Sequence, residues 1–246
     1  MLEHDLKYLT TYHFDNKLRL GNKGDGGYVI AKLPGNYDCY ISAGVNDEES
    51  FSRDFIIYYN MDLSQNYAFD GTINGYPYNY TTNIHFVKKN ISGENTSNTT
   101  NLKYLINKYD DIFLKMDIEG GEYPWLECLN ENDLLKFKQI VIEYHCLNDD
   151  RFGCNYENKM KCLNKLANTH YIIHAHPNNN GTGWGVDREV NGIPNVIELT
   201  YIRKNCLENP VLNTTPFPIE GLDYKNAPYS EMSLAFPPFT FRTESN

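Results

Sequence analysis

The chain has 246 residues, of which 41% are hydrophobic and 22% are charged. These proportions are typical of a globular protein, and they exclude a collagen, a long disordered tail or a bundle of membrane helices. With 22 Lys and Arg against 32 Asp and Glu, the formal net charge is −10. This charge disfavours a nucleic-acid partner, because phosphate backbones are also anionic.

The start of the chain and the cysteines bear on the cellular compartment. Residues 1–7 contain no apolar run of signal-peptide length, and no later stretch is long and apolar enough for a membrane helix. The six cysteines form no C-x-x-C pair, which favours reduced structural thiols over a zinc site. We therefore expect a cytoplasmic protein without membrane insertion.

Seven short apolar runs, most of them rich in β-branched or aromatic residues, predict buried strands. In chain order they are 37–43, 67–69, 84–87, 112–116, 140–144, 171–174 and 196–202. Helical spacing occurs between several of them, as in Phe51, Phe55 and Tyr59 and again in residues 160–167. Strands that alternate with helices predict an α/β fold, with a mainly parallel sheet and helices on both faces.

The remaining segments predict loops and a single domain. Residues 90–101 are polar and indicate an exposed loop, and residues 178–192 carry four glycines and indicate a longer, mobile one. Beyond residue 210 the chain is rich in proline and aromatic residues, which favours an irregular covering segment over a second domain. We predict one domain over 1–246, with an N-terminal segment at 1–36, an α/β core at 37–204 and an irregular segment at 205–246.

Polar residues follow five of the predicted strands. They occupy 42–47, 70–71, 117–122, 143–145 and 174–179. In an open parallel sheet, ligands bind beyond the carboxyl ends of the strands, where loops and helix N-termini offer unpaired N–H groups. The sequence therefore predicts a functional site at this edge of the sheet.

The first two of these stretches are typical of a nucleotide pocket. Ser42, Ala43 and Gly44 are small enough for a ligand to approach the backbone, and Asp70 ends the next strand, where an acid binds ribose hydroxyls. The alternative is that Gly44 forms a plain tight turn and Asp70 caps a helix, and these two features alone do not decide between them. The loop lacks the G-x-G-x-x-G pattern of NAD-binding proteins.

Acids and imidazoles follow the next three strands. They are Asp117, Glu119, Glu122, Glu143, His145, His174 and His176. Alternation along a strand places Glu143 and His145 on one face, and the same holds for His174 and His176. Three histidines at strand ends favour catalysis, although a lone histidine is more often structural. We assign Glu122 a structural role, because it lies in the first turn of a predicted helix, where acids are favoured.

Four blocks of this sequence resemble a known family. They are RLGNKGDGGYVI at 19–30, YISAGV at 40–45, YAFD at 67–70 and LKMDIEGGE at 114–122. Their order and spacing are similar to those of the FkbM-like family of S-adenosylmethionine-dependent methyltransferases. The resemblance continues through 174–179 and 193–200. It implies a Rossmann-like class I methyltransferase fold with a seven-stranded sheet, and methyl transfer to a small-molecule hydroxyl, commonly on a sugar or polyketide.

The resemblance also implies the roles of individual residues. The implied cofactor-binding residues are Asp25, Gly26, Gly27, Ser42, Ala43, Gly44, Asp47, Asp70 and Asp117. The loop at 42–47 would hold the methionine part and the ribose, Asp70 the ribose hydroxyls and Asp117 the sulfonium side. Glycines at 26 and 27 would let the backbone approach the cofactor.

The acceptor hydroxyl must lose its proton during transfer. A general base that takes this proton as the new bond forms accelerates such a reaction about 10²–10⁴-fold. We predict that His145, His174 or His176 is this base, oriented by Glu119 or Glu143.

A divalent metal is the alternative way to activate the hydroxyl. Asp117 and Glu143, with water or His145, would bind Mg²⁺ or Mn²⁺, which lowers the pKa of a bound hydroxyl. Oxygen-rich ligation favours these two ions over transition metals that prefer imidazole.

Two other functions are compatible with the residues. An NAD-dependent sugar epimerase or dehydrogenase would also place an acid on a ribose, but the missing glycine pattern argues against it. A non-enzymatic glycan-binding module is suggested by 14% aromatic residues and 20 tyrosines, which stack on sugar faces. For the methyltransferase we expect a small-molecule or carbohydrate acceptor, most directly a sugar or nucleotide-sugar of surface glycan biosynthesis. The sequence leaves the oligomeric state open.

Overall fold

The computed structural model describes residues 3–151, 154–180 and 189–242. Its helices are α1 (Ser50–Tyr59), α2 (Lys103–Ile106), α3 (Glu122–Cys128), α4 (Glu131–Leu134) and α5 (Tyr156–Thr169). Its strands are β1 (Lys17–Leu20), β2 (Tyr28–Ala31), β3 (Cys39–Ala43), β4 (Asn66–Phe69), β5 (His85–Val87), β6 (Asn90–Ile91), β7 (Thr99–Thr100), β8 (Ile112–Met116), β9 (Phe137–Tyr144), β10 (His170–Pro177), β11 (Glu189–Val190), β12 (Ile193–Pro194) and β13 (Ile197–Arg203). Short 3₁₀ helices lie at Glu3–Leu9, Leu63–Gln65 and Lys204–Cys206.

Seven strands form the central sheet, in the order β10-β13-β9-β8-β3-β4-β5. From β9 to β5 the pairing is parallel, whereas β13 runs antiparallel to both β9 and β10. The structure therefore confirms the predicted seven-stranded, mainly parallel α/β sheet. Because β10 runs in the same direction as β9, the carboxyl ends of every strand except β13 meet at one edge of the sheet.

The bounds of the seven sheet strands lie within two residues of the apolar runs, except that β9 begins and β10 ends three residues beyond its run. β8 has the predicted bounds, but β9 begins at Phe137, three residues before its apolar run. Lys138 Nζ donates to Pro34 O at 2.8 Å, and Gln139 Oε1 accepts a hydrogen bond from Ala31 N at 3.2 Å. Lys138 Nζ and Gln139 Oε1 therefore have partners, which lowers the cost of burying them in the extended strand, although Gln139 Nε2 is buried without a hydrogen bond.

Alternate side chains of β3 belong to two different hydrophobic clusters. Cys39, Ile41 and Ala43 pack in a cluster that includes residues of α3 and α5. Tyr40 packs in the other cluster with Phe55 of α1, and their rings stack with centroids 4.6 Å apart. This central strand is therefore fixed on both sides, which makes the loop that follows it a rigid part of the sheet edge.

β1 and β2 form an antiparallel hairpin within the segment 1–36. The hairpin is attached to the central sheet, because Thr200 Oγ1 on β13 donates to Val29 O at 2.5 Å. Tyr28 begins β2, and its hydroxyl donates to Asp117 Oδ2 at 3.2 Å. The turn that carries Asp25 and Gly26 consequently lies beside the end of β8.

Residues 90–101 are not wholly the exposed loop that their composition predicts. β6 and β7 pair in parallel, and Ser92 N donates to Thr100 O at 3.0 Å. Ile91 is 5% exposed and belongs to the larger hydrophobic cluster, so one apolar side chain anchors this polar segment to the core. Of the loop predicted at 178–192, residues 181–188 lie outside the described residues.

The chain after the last 3₁₀ helix runs over the core. Phe217, Leu234 and Phe239 insert into the larger hydrophobic cluster. Thr11 N donates to Pro238 O at 3.1 Å, which joins this segment to the beginning of the chain. Within the described parts of the chain, no helix combines the length and the apolar character needed to cross a bilayer.

Candidate functional site

A cavity of about 450 Å³ lies where β3, β4 and β8 end. The predicted site residues that line it are Asp25, Gly26, Gly44, Asp47, Asp70, Asp117 and Glu119. Glu48 brings the number of acidic side chains in the lining to six, and Lys115 is the one basic side chain that the described lining contains. A cavity with this charge favours a ligand that carries positive charge.

Gly44 permits a close approach of two strand ends. Its φ is +82°, and a Cβ atom at this position would lie 1.6 Å from Asp117 O. Lys115 Nζ donates to Gly44 O at 2.8 Å and so ties the end of β3 to β8. The glycine predicted to admit a ligand thus also admits the backbone of the neighbouring strand.

Asp70 fixes the loop that follows β3. Its Oδ2 accepts hydrogen bonds from Val45 N at 3.1 Å and Asn46 N at 3.0 Å, and its Oδ1 accepts two from Thr72. Burial acts to raise the pKa of Asp70, but these hydrogen bonds outweigh it and lower the pKa. The carboxylate has about four acceptor positions, and all are used here. This geometry resembles the capping alternative, and the ribose role stays a prediction.

Ser42, Ala43 and Gly27 lie behind the cavity wall. Ser42 Oγ donates to Glu49 Oε1 at 2.7 Å, and Ala43 is fully buried in the larger hydrophobic cluster. A Cβ atom at Gly27 would lie 2.0 Å from Asn22 O, so this glycine serves the packing of the hairpin turn. Their predicted contacts with a cofactor stay predictions.

Asp117 lines the cavity and also faces His145, which follows β9. Its Oδ2 accepts the hydrogen bond from the Tyr28 hydroxyl and lies 3.9 Å from Lys115 Nζ. Its Oδ1 lies 3.8 Å from His145 Nε2. One carboxylate oxygen therefore contacts the hairpin and β8, and the other points toward the end of β9.

His145 is the predicted histidine that the structure brings to the acid cluster. Its side chain is 4% exposed, and Nδ1 donates to Glu122 Oε1 at 3.1 Å. Nε2 lies 3.4 Å from Glu119 Oε2 and 3.6 Å from Glu143 Oε1. Burial acts to lower the pKa of His145, but the hydrogen bond and charge of Glu122, together with Glu143 and Asp117, raise it to about 10.

Glu122 lies at the helix start, as the sequence predicts, and has an additional contact there with His145. It is fully buried at the start of α3, and its Oε1 accepts hydrogen bonds from Ile118 N at 3.2 Å and from His145 Nδ1. It thereby fixes the orientation of the imidazole ring. A signal was present in the sequence, since Glu122 belongs to the same block as Asp117 and Glu119.

Glu143 is buried beside His145. Its Oε1 accepts a hydrogen bond from Asn178 Nδ2 at 2.7 Å. Burial, followed by the charge of Asp117, raises the pKa of Glu143 well above its usual range. One ligand atom each from Asp117, Glu143 and His145 lie within 4.8 Å of one another, so this trio has the spacing to hold a metal ion.

Glu119 is the most accessible of these acids, with a side chain that is 60% exposed. Its φ is +55°, which is unusual for a residue with a side chain. Burial acts to raise the pKa of Glu119, His145 to lower it and Asp117 to raise it, and the net change is an increase.

His174 and His176 contact the C-terminal segment instead of the cavity. His174 Nε2 donates to Asp223 Oδ1 at 2.8 Å. His176 Nδ1 lies 3.2 Å from Glu198 Oε2, and Nε2 lies 2.9 Å from Glu231 Oε1. Burial lowers the pKa of His174; for His176 burial acts in the same direction, but the two carboxylates raise its pKa to about 10.

A second cavity, of about 470 Å³, lies away from this edge. Its lining includes Lys32, Tyr58 and Asn60. No acid, imidazole or thiol is among the described residues that line it. The described lining of this second cavity therefore offers no candidate for the predicted acid–base chemistry.

A model of the methyltransferase FkbM domain matches residues 9–190. The chain belongs to the FkbM methyltransferase family. A search of the curated proteins found no match. The matched region of this methyltransferase contains every residue that lines the first cavity, together with Glu143 and His145.

The candidate site of this methyltransferase also contains three residues to which the sequence assigned no role. Lys115 joins two strand ends, Tyr28 contacts Asp117 and Asn178 contacts Glu143. A signal existed for Lys115, because a lysine inside an apolar strand is buried only with a partner. Tyr28 and Asn178 come from distant parts of the chain, and no local pattern indicates their contacts.

Proposed function

We propose that this methyltransferase transfers the methyl group of S-adenosylmethionine to a hydroxyl of a small polar acceptor, a sugar or a nucleotide-linked sugar. The observation that carries the proposal is the acid-lined cavity at the ends of β3, β4 and β8 in a chain of the FkbM family. The sulfonium of the cofactor is a cation, and six acidic side chains favour it over a neutral or anionic ligand. We also propose that the chain has the class I methyltransferase fold, with helices on both faces of the sheet.

We assign the cofactor to this cavity because of its acidic lining and its position at the ends of β3, β4 and β8. The loop after β3, from Gly44 to Asp47, would hold the ribose and the methionine part against the backbone. Asp70 holds this loop through Val45 N and Asn46 N, so it would act on the cofactor at least through the loop. Asp117 would lie on the sulfonium side.

We assign the acceptor to the side of the cavity that Glu119 lines, next to Glu143 and His145. Alignment of the acceptor oxygen, the methyl carbon and the sulfur supplies most of the rate, since effective molarities of about 10⁵–10⁸ M are available from positioning. Glu119 and His145 are the candidates to take the hydroxyl proton. Because the pKa of His145 is raised to about 10, this imidazole must first pass its own proton to Glu119 or Glu143, which lie 3.4 Å and 3.6 Å from Nε2. His174 and His176 are left out of this role, because C-terminal carboxylates bind them.

The choice of a sugar acceptor rests on the polar character of this region. Carboxylates accept hydrogen bonds from neighbouring hydroxyl groups, which a sugar supplies in several directions. Membership of the FkbM family favours methyl transfer over the NAD-dependent enzyme and over the glycan-binding module. Cytoplasmic location and surface-glycan biosynthesis stay predictions.

Calorimetric titration with S-adenosylhomocysteine tests the cofactor, with NAD as the control ligand. We expect micromolar binding of S-adenosylhomocysteine and none of NAD. Asp70→Ala should weaken the binding at least tenfold (about 1.4 kcal/mol) because it frees the loop after β3. Asp15→Ala is the matched control, since this aspartate has a side chain that is 88% exposed. Binding of NAD alone would overturn the proposal.

Transfer of a radiolabelled methyl group to a panel of sugars and nucleotide-sugars tests the acceptor. A methyl ether survives mild alkali, whereas a methyl ester is hydrolysed. Retention of the label after alkali therefore supports transfer to a hydroxyl, and its release would show transfer to a carboxylate instead.

A further inference from the structure

Three side chains at the ends of β8 and β9 have the arrangement of a metal site. A carboxylate oxygen of Asp117, one of Glu143 and a ring nitrogen of His145 lie within 4.8 Å of one another, and Nε2 is the nitrogen that faces both carboxylates. We propose that these three residues bind one divalent cation, Mn²⁺ or Mg²⁺, with Glu122 as the residue that positions His145. The binding is independent of the proposed function, and only its catalytic use rests on it.

The imidazole supplies the first observation. Its side chain is 4% exposed, and Nδ1 is engaged by Glu122. Among the described residues Nε2 makes no hydrogen bond; its nearest carboxylate oxygens are 3.4–3.8 Å away, on Glu119, Glu143 and Asp117. A cation between Nε2 and these carboxylates would take the place of the Nε2 proton, because an imidazole ligates a metal in its neutral form.

The second observation is that another residue orients each member of the trio. Glu122 holds His145 through Nδ1, Asn178 donates to Glu143 Oε1, and the Tyr28 hydroxyl donates to Asp117 Oδ2. Metal-ligating histidines characteristically donate their other N–H to a carboxylate or carbonyl, which fixes the ring and the tautomer. The trio therefore has its supporting contacts in place.

Charge gives the third argument. Asp117, Glu119, Glu122 and Glu143 surround one imidazole, and Lys115 is 3.9 Å from Asp117. Buried carboxylates are costly unless they are paired or coordinate a metal. A divalent ion in front of Nε2 would balance two of these charges.

The donor set indicates the kind of ion. Two carboxylates and one imidazole favour Mn²⁺ or Mg²⁺ over the thiolate-preferring metals. When bound, the ion would lower the pKa of an acceptor hydroxyl beside it. His145 would then serve as a ligand, and its role as the proton acceptor would pass to another group.

Binding of Mn²⁺ to the full chain tests the site, in buffer freed of other metals and without cofactor. Electron paramagnetic resonance of the free ion should give one bound Mn²⁺ per chain, displaced by excess Mg²⁺. Glu143→Gln should abolish this binding. Glu122→Gln should weaken it about 10–100-fold while the three ligands stay in place. Asp223→Asn is the matched control, because it alters a carboxylate–imidazole pair outside the trio and should leave the affinity unchanged.

The wild-type protein gives a second readout if a variant fails to fold. The electron spin-echo modulation of bound Mn²⁺ should contain a nitrogen coupling from a directly ligated imidazole. That coupling should change when the histidines are labelled with ¹⁵N. No stoichiometric Mn²⁺, no nitrogen coupling, or a Glu143→Gln variant that binds as tightly as the wild type would each overturn the proposal.

The outcome also separates the metal site from the proposed function. Binding of S-adenosylhomocysteine in EDTA without any binding of Mn²⁺ would overturn the metal site alone. Binding of Mn²⁺ in a protein that does not bind S-adenosylhomocysteine would support the metal site and overturn the proposed function.

Discussion

Two groups of imidazoles and carboxylates lie at the same edge of this sheet and differ in where their partners come from. The β9 group consists of Asp117, Glu119, Glu122, Glu143 and His145. The C-terminal group consists of His174, His176, Glu198, Asp223 and Glu231. In the β9 group the carboxylates come from two adjacent parallel strands and the segment between them, and Nε2 of His145 faces three of them at 3.4–3.8 Å. In the C-terminal group the outer carboxylates come from the covering segment and bind the rings directly.

The difference teaches that a strand-end position alone does not define a catalytic histidine. His145 and His176 are almost equally buried, and carboxylates raise the pKa of each to about 10. Both nitrogens of His176 have partners, so this ring fastens the segment that carries Glu231. Nε2 of His145 instead lies 3.4–3.8 Å from carboxylate oxygens of Asp117, Glu119 and Glu143.

The largest expected effect tests this difference directly. His145→Asn should lower methyl transfer about 10²–10⁴-fold, because it removes the imidazole beside the acceptor. His176→Asn should change transfer less than tenfold (about 1.4 kcal/mol), provided that thermal unfolding shows a folded protein. Initial rates with saturating cofactor measure both. Equal losses in the two variants would erase the functional distinction between the groups.

The positions of the β9 group could largely be predicted from the sequence, because its members lie at or after the ends of predicted strands. Parallel strands bring their ends together, so Asp117, Glu143 and His145 could be placed at one edge from apolar runs alone. The position of Glu122 was also correct, but its contact with His145 was not predicted. That contact depends on the rotation of α3 against β9, which local periodicity does not determine.

The contacts of the C-terminal group could not be predicted from the sequence in the same way. His174 and His176 have the alternation of a site, but their partners Asp223 and Glu231 lie about fifty residues further along in an irregular segment. Such a segment has no periodicity from which to infer where it packs. The same reason explains why the docking of Ile91 was missed, since one apolar side chain in a polar stretch makes no pattern.

The second-largest expected effect is a dependence of the free energy of unfolding on pH that comes from His176. Glu198 and Glu231 overcome burial and raise the pKa of His176 to about 10, against about 6.5 in the unfolded chain. Its contribution is therefore complete below about pH 6.5 and is lost as the pH rises toward 10. Between neutral pH and pH 10 the free energy of unfolding should fall by a few kcal/mol more in the wild type than in His176→Gln. Urea unfolding in EDTA measures this, and parallel pH profiles would contradict the two ion pairs.

A smaller effect is expected from the other member of the C-terminal group. Asp223→Asn should lower the free energy of unfolding by about 1–3 kcal/mol, because a charged hydrogen bond to buried His174 is weakened. Binding of S-adenosylhomocysteine should be unchanged, as measured by calorimetry. A loss of cofactor binding in the folded variant would join the C-terminal group to the cofactor site and remove the contrast.

The smallest expected effect on stability comes from Glu119 and tests whether this residue belongs to the acceptor side of the β9 group. Glu119 has a φ of +55°, a region that asparagine tolerates better than glutamate, so Glu119→Asn should stabilise the fold by about 0.5 kcal/mol. The shorter side chain would withdraw a carboxylate that lies 3.4 Å from His145 Nε2, and methyl transfer should fall. Urea unfolding and initial rates measure the two effects separately. A gain in stability with a loss of rate is the pattern of a strained residue retained for activity. Unchanged transfer would remove Glu119 from the acceptor side, and the strained backbone at this position would then serve only the turn between β8 and α3.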